Sequence, residues 1–201
     1  MSEITMVTLY LRDISKDVVS AWEAEFADET QVHVSHGDIF ALNADAIVSP
    51  ANSFGHMDGG IDLVYSNFFG WDLEARLREL IAEHHFGELP VGQAVVLPTR
   101  HESIPYLVSA PTMRLPSTIS RTVNVYLAFR AALIAVLAHN NAENSRISSL
   151  LVPGLGTGVG DMPPGRAARQ MKRAYRAILK GEARKERNIG AISGEHHELI
   201  S

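Results

Sequence analysis

The 201-residue chain contains no cysteine. Disulfides, thiol nucleophiles, thiolate zinc sites and cysteine-bound iron–sulfur clusters are therefore excluded. Lysine is nearly as scarce, with only Lys16, Lys172, Lys180 and Lys185, so none falls between positions 16 and 172. No excess of positive charge is present: 18 basic against 23 acidic residues give a net −5, and no broad field attracts nucleic acid. Uninterrupted apolar runs stay far short of the roughly 20 residues a membrane span needs. The first residues, MSEITMVTLYLRD, lack a basic start, an apolar block and a small-residue cleavage site, which leads to the expectation of a cytoplasmic chain without a membrane partner. What is present is ordinary globular composition, 46% hydrophobic and 20% charged with 15 glycines and 9 prolines, enough to bury one core.

Strand-like and helix-like segments alternate. Strands are expected at Val7–Leu11, Val32–Ser35, Ala46–Val48, Ala94–Leu97, Tyr106–Ala110 and Ile147–Val152, from their β-branched and apolar content. Helices are expected over about 16–28, with Ser15 as cap, and over about 72–86, with Asp72 as cap and Leu73, Leu77, Leu80 and Ile81 in register. A third spans 121–138, with Val123, Tyr126, Leu127, Leu133, Ile134 and Leu137 on one stripe interrupted by Arg130, and a last one runs from Pro163–Pro164 to about Lys180. Apolar strands between helices indicate an α/β fold, a three-layer sandwich covered on both sheet faces. Residues 1–180 read as one domain and the polar residues 181–201 as a loosely attached tail.

Ligands in such folds bind beyond the carboxyl ends of strands. Two glycine-rich loops occupy that position, one over residues 49–60 and one over 154–160. Glycines there let backbone N–H groups approach an anion, and a following helix start adds partial positive charge. The second loop is not a Walker A loop, since Gly158 and Gly160 are followed by Val159 and Asp161 rather than lysine, and G-x-G-x-x-G fails in both registers.

Gly37-Asp38-Ile39, then Val48-Ser49-Pro50-Ala51-Asn52, then Gly59-Gly60-Ile61-Asp62, then Pro153-Gly154-Leu155-Gly156-Thr157-Gly158-Val159-Gly160 occur in that order. Together they resemble the macro domain, an ADP-ribose-binding family, over about residues 30–180. The resemblance implies a central mixed, mostly parallel sheet between helical layers, and no cofactor. Asp38 would accept a hydrogen bond from the adenine amino group and Ile39 would line that pocket. Asn52 would contact the distal ribose. Gly59, Gly60 and Ile61 would offer N–H groups to the diphosphate from the first loop, and Gly156, Thr157, Gly158 and Val159 would close over it from the second.

Asn52 and Asp62 keep the ten-residue spacing of the hydrolytic, MacroD-type branch. This implies ADP-ribosyl hydrolase chemistry, with Asp62 positioning or activating water and the substrate diphosphate assisting. Candidate substrates are mono-ADP-ribosylated proteins, ADP-ribose 1″-phosphate and O-acetyl-ADP-ribose. Read without the resemblance, Asp62 is a carboxylate in a helix first turn and Asn52 an Asx-turn residue. His56, the titratable base of the first loop, is a further catalytic candidate. Ser49 stands where the family often has asparagine, His56-Met57-Asp58 interrupts its glycine run, and Gly160 replaces its aromatic over the distal ribose, which either widens the pocket or hands the role to another residue such as Phe54. The lysine gap leaves the family's lysine-dependent branch without a candidate, and the missing cysteines disfavour its zinc-dependent branch. A non-enzymatic ADP-ribose reader is the alternative. Another is a scaffold or nucleic-acid module using the nine basic residues between Arg166 and Arg187. The family's usual C-terminal strand has only NIGAIS at 188–193 to match it, which leaves the adenine-stacking residue unassigned.

Overall fold

Alternation of side chains along the strands settles the layering. Ala46 and Val48, Leu150 and Val152, and Val108 point into one apolar cluster, whereas Ile47, Leu151 and Leu107 point into another. Successive strand residues face opposite sides of a sheet, so strands apolar at every position need cover on both faces. The computed structural model, which describes residues 7–142, 146–182 and 188–201, supplies it.

The elements are β1 (Thr8–Asp13), α1 (Lys16–Phe26), β2 (Val32–His36), β3 (Ala46–Ser49), α2 (Gly60–Phe69), α3 (Asp72–His85), β4 (Val95–Pro98), β5 (Tyr106–Ser109), α4 (Asn124–Ala142), β6 (Ser149–Val152), α5 (Pro164–Ile178) and α6 (Ile189–Ile200), with a 3-10 turn over Ile39–Ala41. They form a six-stranded sheet in the order β2-β1-β6-β3-β5-β4. All neighbours are parallel except the β4–β5 edge pair. Core residues of α1, α4 and α5 cover one face and those of α2 and α3 the other, which is the expected α/β/α sandwich. β1, the first strand, is central, paired in register to β2 through Leu9↔Val32 and to β6 through Leu9↔Leu150. Its C-terminal end therefore opens onto the same edge as the two glycine loops.

Three local expectations are corrected. The buried face of α4 is Val125, Ala128, Phe129, Ala132 and Val136, and of the expected stripe only Leu133 is buried, while Ile134 is exposed. An all-round apolar helix gives periodicity nothing to choose between. By length and composition α4 would suffice to cross a membrane, but that apolarity serves its packing against the sheet and α5. Of the two expected caps, Ser15 is the N-cap of α1, although its side chain makes no cap bond and its N–H donates to Asp13 Oδ1 at 2.8 Å, whereas α3 is capped at Trp71 with Asp72 already helical.

The third correction concerns the chain end. Residues expected as a tail form α6, started by Asn188 Oδ1 accepting from Ala191 N at 2.9 Å. Leu199 is buried and its carbonyl accepts from Gln170 Nε2 at 2.8 Å. Arg166 and Arg169 of α5 donate to the Ser201 carbonyl, and Arg173 pairs with Glu195. Lys172 pairs with Asp28 and Glu29, Lys180 with Glu29, and Arg176 with Glu182. The basic run from Arg166 to Arg187 is thus engaged within the protein wherever it is described, and Lys172 is itself buried. Arg184, Lys185 and Arg187 lie outside the described residues.

Candidate functional site: a cleft between two glycine loops

Five parallel strands feeding into loops at one sheet edge leave a cleft of about 730 Å³ there. Both glycine loops line it, as do the ends of β1 and β2. Asp38, Ile39, Asn52, His56, Gly59, Gly60, Ile61, Asp62, Gly156, Thr157, Gly158 and Val159 all border this one space. Residues up to 121 positions apart in sequence converge because β3 and β6 are sheet neighbours.

The cleft's principal resource is unpaired backbone N–H. Gly59 supplies no side-chain cap to α2, and the first intrahelical bond is Leu63 N to Gly59 O at 3.2 Å. The N–H groups of Gly60, Ile61 and Asp62 are the orphan donors every helix start leaves. Open space surrounds the Cβ positions of Gly59 and Gly60. Across the cleft, Asp161 N to Gly158 O at 2.9 Å and Met162 N to Gly156 O at 3.0 Å coil the second loop. Among the described residues, the N–H groups of Gly156, Thr157, Gly158 and Val159 have no internal acceptor. Asp13 Oδ2 ties this loop to β1 by accepting from Gly154 N at 2.9 Å. Two sets of aligned amides facing one space are suited to a phosphate or diphosphate.

Gly160 could not carry the aromatic that the resemblance would place there. A Cβ at this position would sit 2.5 Å from the Gly156 carbonyl oxygen and 2.8 Å from Ile119 Cγ1. Phe54 does not replace it either: it lies outside the cleft lining, beneath the Arg114 guanidinium at 5.1 Å. Glu88 holds that guanidinium at 2.7 and 3.0 Å. Among the described residues, no Phe, Tyr or Trp lines the cleft.

Asp62 is buried, and the Ser49 hydroxyl, itself fully buried, donates to its Oδ1 at 2.5 Å. Burial pushes the Asp62 carboxyl up to about 7, against the opposing pull of the Ser49 hydrogen bond. A carboxyl poised near neutrality is chemically suited to proton transfer. Asn52 behaves as an Asx-turn residue: its Oδ1 accepts from Phe54 N at 3.0 Å and its Nδ2 donates to His56 O at 2.8 Å. The half-exposed His56 ring lies 3.9 Å from Glu74 Oε1. Asp38 is exposed, caps the 3-10 turn by accepting from Phe40 N at 3.0 Å, and stands beside the buried Ile39.

Sequence reading did not find the β1 side of the cleft. Arg12, Asp13, Ile14 and Asp17 line it, and among the described residues Arg12 is the one lysine or arginine that does so. The available signal was general: a strand end running into a helix is where ligands bind in open α/β sheets. It carried no motif.

The Macro domain family model matches residues 48–171. An uncharacterized protein of Aquifex aeolicus is 36% identical over 140 residues, 70% of this chain and 78% of the relative. One from Aeropyrum pernix is 32% identical over 151 residues, 74% and 72% of the two chains. Among solved structures, the macrodomain of Mycobacterium tuberculosis DarG superposes with a TM-score of 0.60 at 19% identity, covering 72% of this chain and 89% of that one. A mutant Oceanobacillus iheyensis macrodomain with ADPR gives 0.60 at 19% identity, covering 89% and 81%.

Proposed function

The chain belongs to the macro domain family, which binds ADP-ribose, and from that premise we propose that its cleft binds ADP-ribose, free or attached to a substrate. The observation that carries the proposal is the convergence of the two sets of unpaired amides, at Gly60–Asp62 and Gly156–Val159, on one cleft. They would take the diphosphate between them, while Asp38 and Ile39 would take the adenine and Asn52 the distal ribose. Contact donors of this kind hold an anion even in a protein of net charge −5, since charges beyond about 8–10 Å are screened at physiological salt.

The finer reading is hydrolysis of mono-ADP-ribosyl linkages or of small derivatives such as ADP-ribose 1″-phosphate. Asp62 would steer or deprotonate the attacking water and the diphosphate would assist. The buried carboxyl on the cleft wall with its pKa near neutrality supports this. The reader alternative draws on a different observation: the Asn52 amide is turned inward onto its own loop. Binding through α5 to nucleic acid has no such support, because its described basic residues are internally engaged.

Titration calorimetry with ADP-ribose tests the binding reading; an absence of heat at millimolar ligand overturns it. Release of ADP-ribose from proteins carrying defined linkages then separates enzyme from reader. Turnover by the wild-type chain that Asp62→Ala abolishes establishes the enzyme, and tight binding without turnover on any linkage establishes the reader.

A further inference from the structure

The family match begins at residue 48, yet part of the cleft wall is built from residues before it, at the ends of β1 and β2. Arg12 dominates that wall. Its Nε donates to the Asp38 carbonyl at 2.7 Å and its Nη1 to Ser35 Oγ at 2.8 Å, so the guanidinium is pinned from two sides. Gly37 makes room for it: a Cβ there would lie 2.5 Å from Arg12 Nη2, and its φ of +138° disfavours any side chain. Arg12 makes no ion pair with a carboxylate among the described residues. A planar cation is thus fixed against the backbone beside Asp38, and it lines the cleft.

Two roles suit such a group: a charge for a phosphate, or a flat surface for a ring. Surroundings decide between them. Asp13, Asp17 and Asp38 line the cleft near Arg12 and would repel a further phosphate, whereas the two amide loops already provide for a diphosphate. Among the described residues, the cleft has no Phe, Tyr or Trp on which a base could stack. We propose that the Arg12 guanidinium is the platform on which the purine of the ligand stacks, making Arg12 a specificity-determining residue for purine nucleoside diphosphates. Ile14, 76% exposed at the cleft rim, adds apolar surface beside it. The inference rests on the ADP-ribose reading and deepens it.

The test is calorimetry of the full chain and its Arg12→Ala and Arg12→Lys variants with ADP-ribose, inosine diphosphate ribose and uridine diphosphate ribose. Loss of a partly desolvated cation–π contact corresponds to about five- to thirty-fold in affinity. Both variants are expected to lose that factor equally for the adenine and hypoxanthine ligands, because lysine keeps the charge but not the plane. The uridine ligand, with less ring to stack, is expected to change less than about two-fold. Wild-type affinity in Arg12→Lys, or an equal loss for all three ligands in Arg12→Ala, assigns Arg12 to phosphate charge and overturns the proposal. A loss confined to the adenine ligand assigns the effect to Asp38 and also overturns it, as does an unchanged Arg12→Ala. If the wild-type chain binds none of the three, the ADP-ribose reading itself fails, a result separate from any of these.

Discussion

Asp62 carries the sharpest consequences at the scale of single residues. Its carboxyl is raised from 3.8 to about 7 by burial, so folding favours the protonated form. The stabilisation is fully present below the unfolded-state pKa and is lost as pH rises through the folded one, at about 1.4 kcal/mol per pH unit between them. Asp62→Asn removes this dependence while leaving an acceptor for Ser49. Its stability relative to wild type should therefore climb by about 2–3 kcal/mol between pH 5 and pH 8, read from urea melts at both pH values; parallel curves would mean that Asp62 ionises normally. Gly160 gives a second prediction. Gly160→Ala forces its Cβ onto the Gly156 carbonyl oxygen, a backbone atom that cannot swing aside. The expected cost is about 1–3 kcal/mol of stability together with at least about ten-fold weaker ADP-ribose binding, because the amides of Gly156–Val159 move with the carbonyl. Calorimetry beside a denaturant melt checks both.

Between elements, the register of β3 against β6 decides whether the two glycine loops meet. Asp45, just before β3, fixes that register at the far end: its Oδ2 accepts from the N–H and Oγ of both Ser148 and Ser149, at 2.7–2.9 Å. Burial pushes the Asp45 carboxyl up, but these four hydrogen bonds outweigh it and hold the pKa below the ordinary value. Its contribution runs opposite in sign to that of Asp62, being present above the unfolded-state pKa and lost as pH falls. Asp45→Ala is expected to cost about 2–3 kcal/mol at pH 7 and less at pH 3, measured by thermal melts. The same scale shows where sequence reading succeeds and fails. Strand positions were legible to within about two residues because a doubly covered strand must be apolar throughout. The buried face of α4 was not, because a helix apolar on all sides carries no phase, and only its neighbours choose one.

The whole molecule is more closely knit than its composition suggests. Leu199, the Ser201 carbonyl and Glu195 anchor α6 on α5. Deleting residues 188–201 should lower Tm by about 5–10 °C through loss of buried apolar area and these bonds, yet leave ADP-ribose affinity within about two-fold. A large loss of affinity would mean that α6 props the cleft through α5, whose Pro164 borders it. Engagement of the described α5 basic residues gives that part of the basic run a structural role, in ion pairs and in the anchoring of α6.

By itself, the sequence determined the α/β layering, the two glycine loops and the family, because apolar runs, helix starts and glycine spacings are local properties written along the chain. Tertiary structure alone decided that β1 lies between β2 and β6 and brings Arg12 to the cleft. It alone decided that Ser49 meets a buried Asp62, and that Gly160 has no room for an aromatic. Each of these depends on atoms brought together from distant parts of the chain, and on the solvent their packing excludes. A carboxylate thirteen residues from a serine has an ordinary pKa in the unfolded chain; burial beside that serine gives it another.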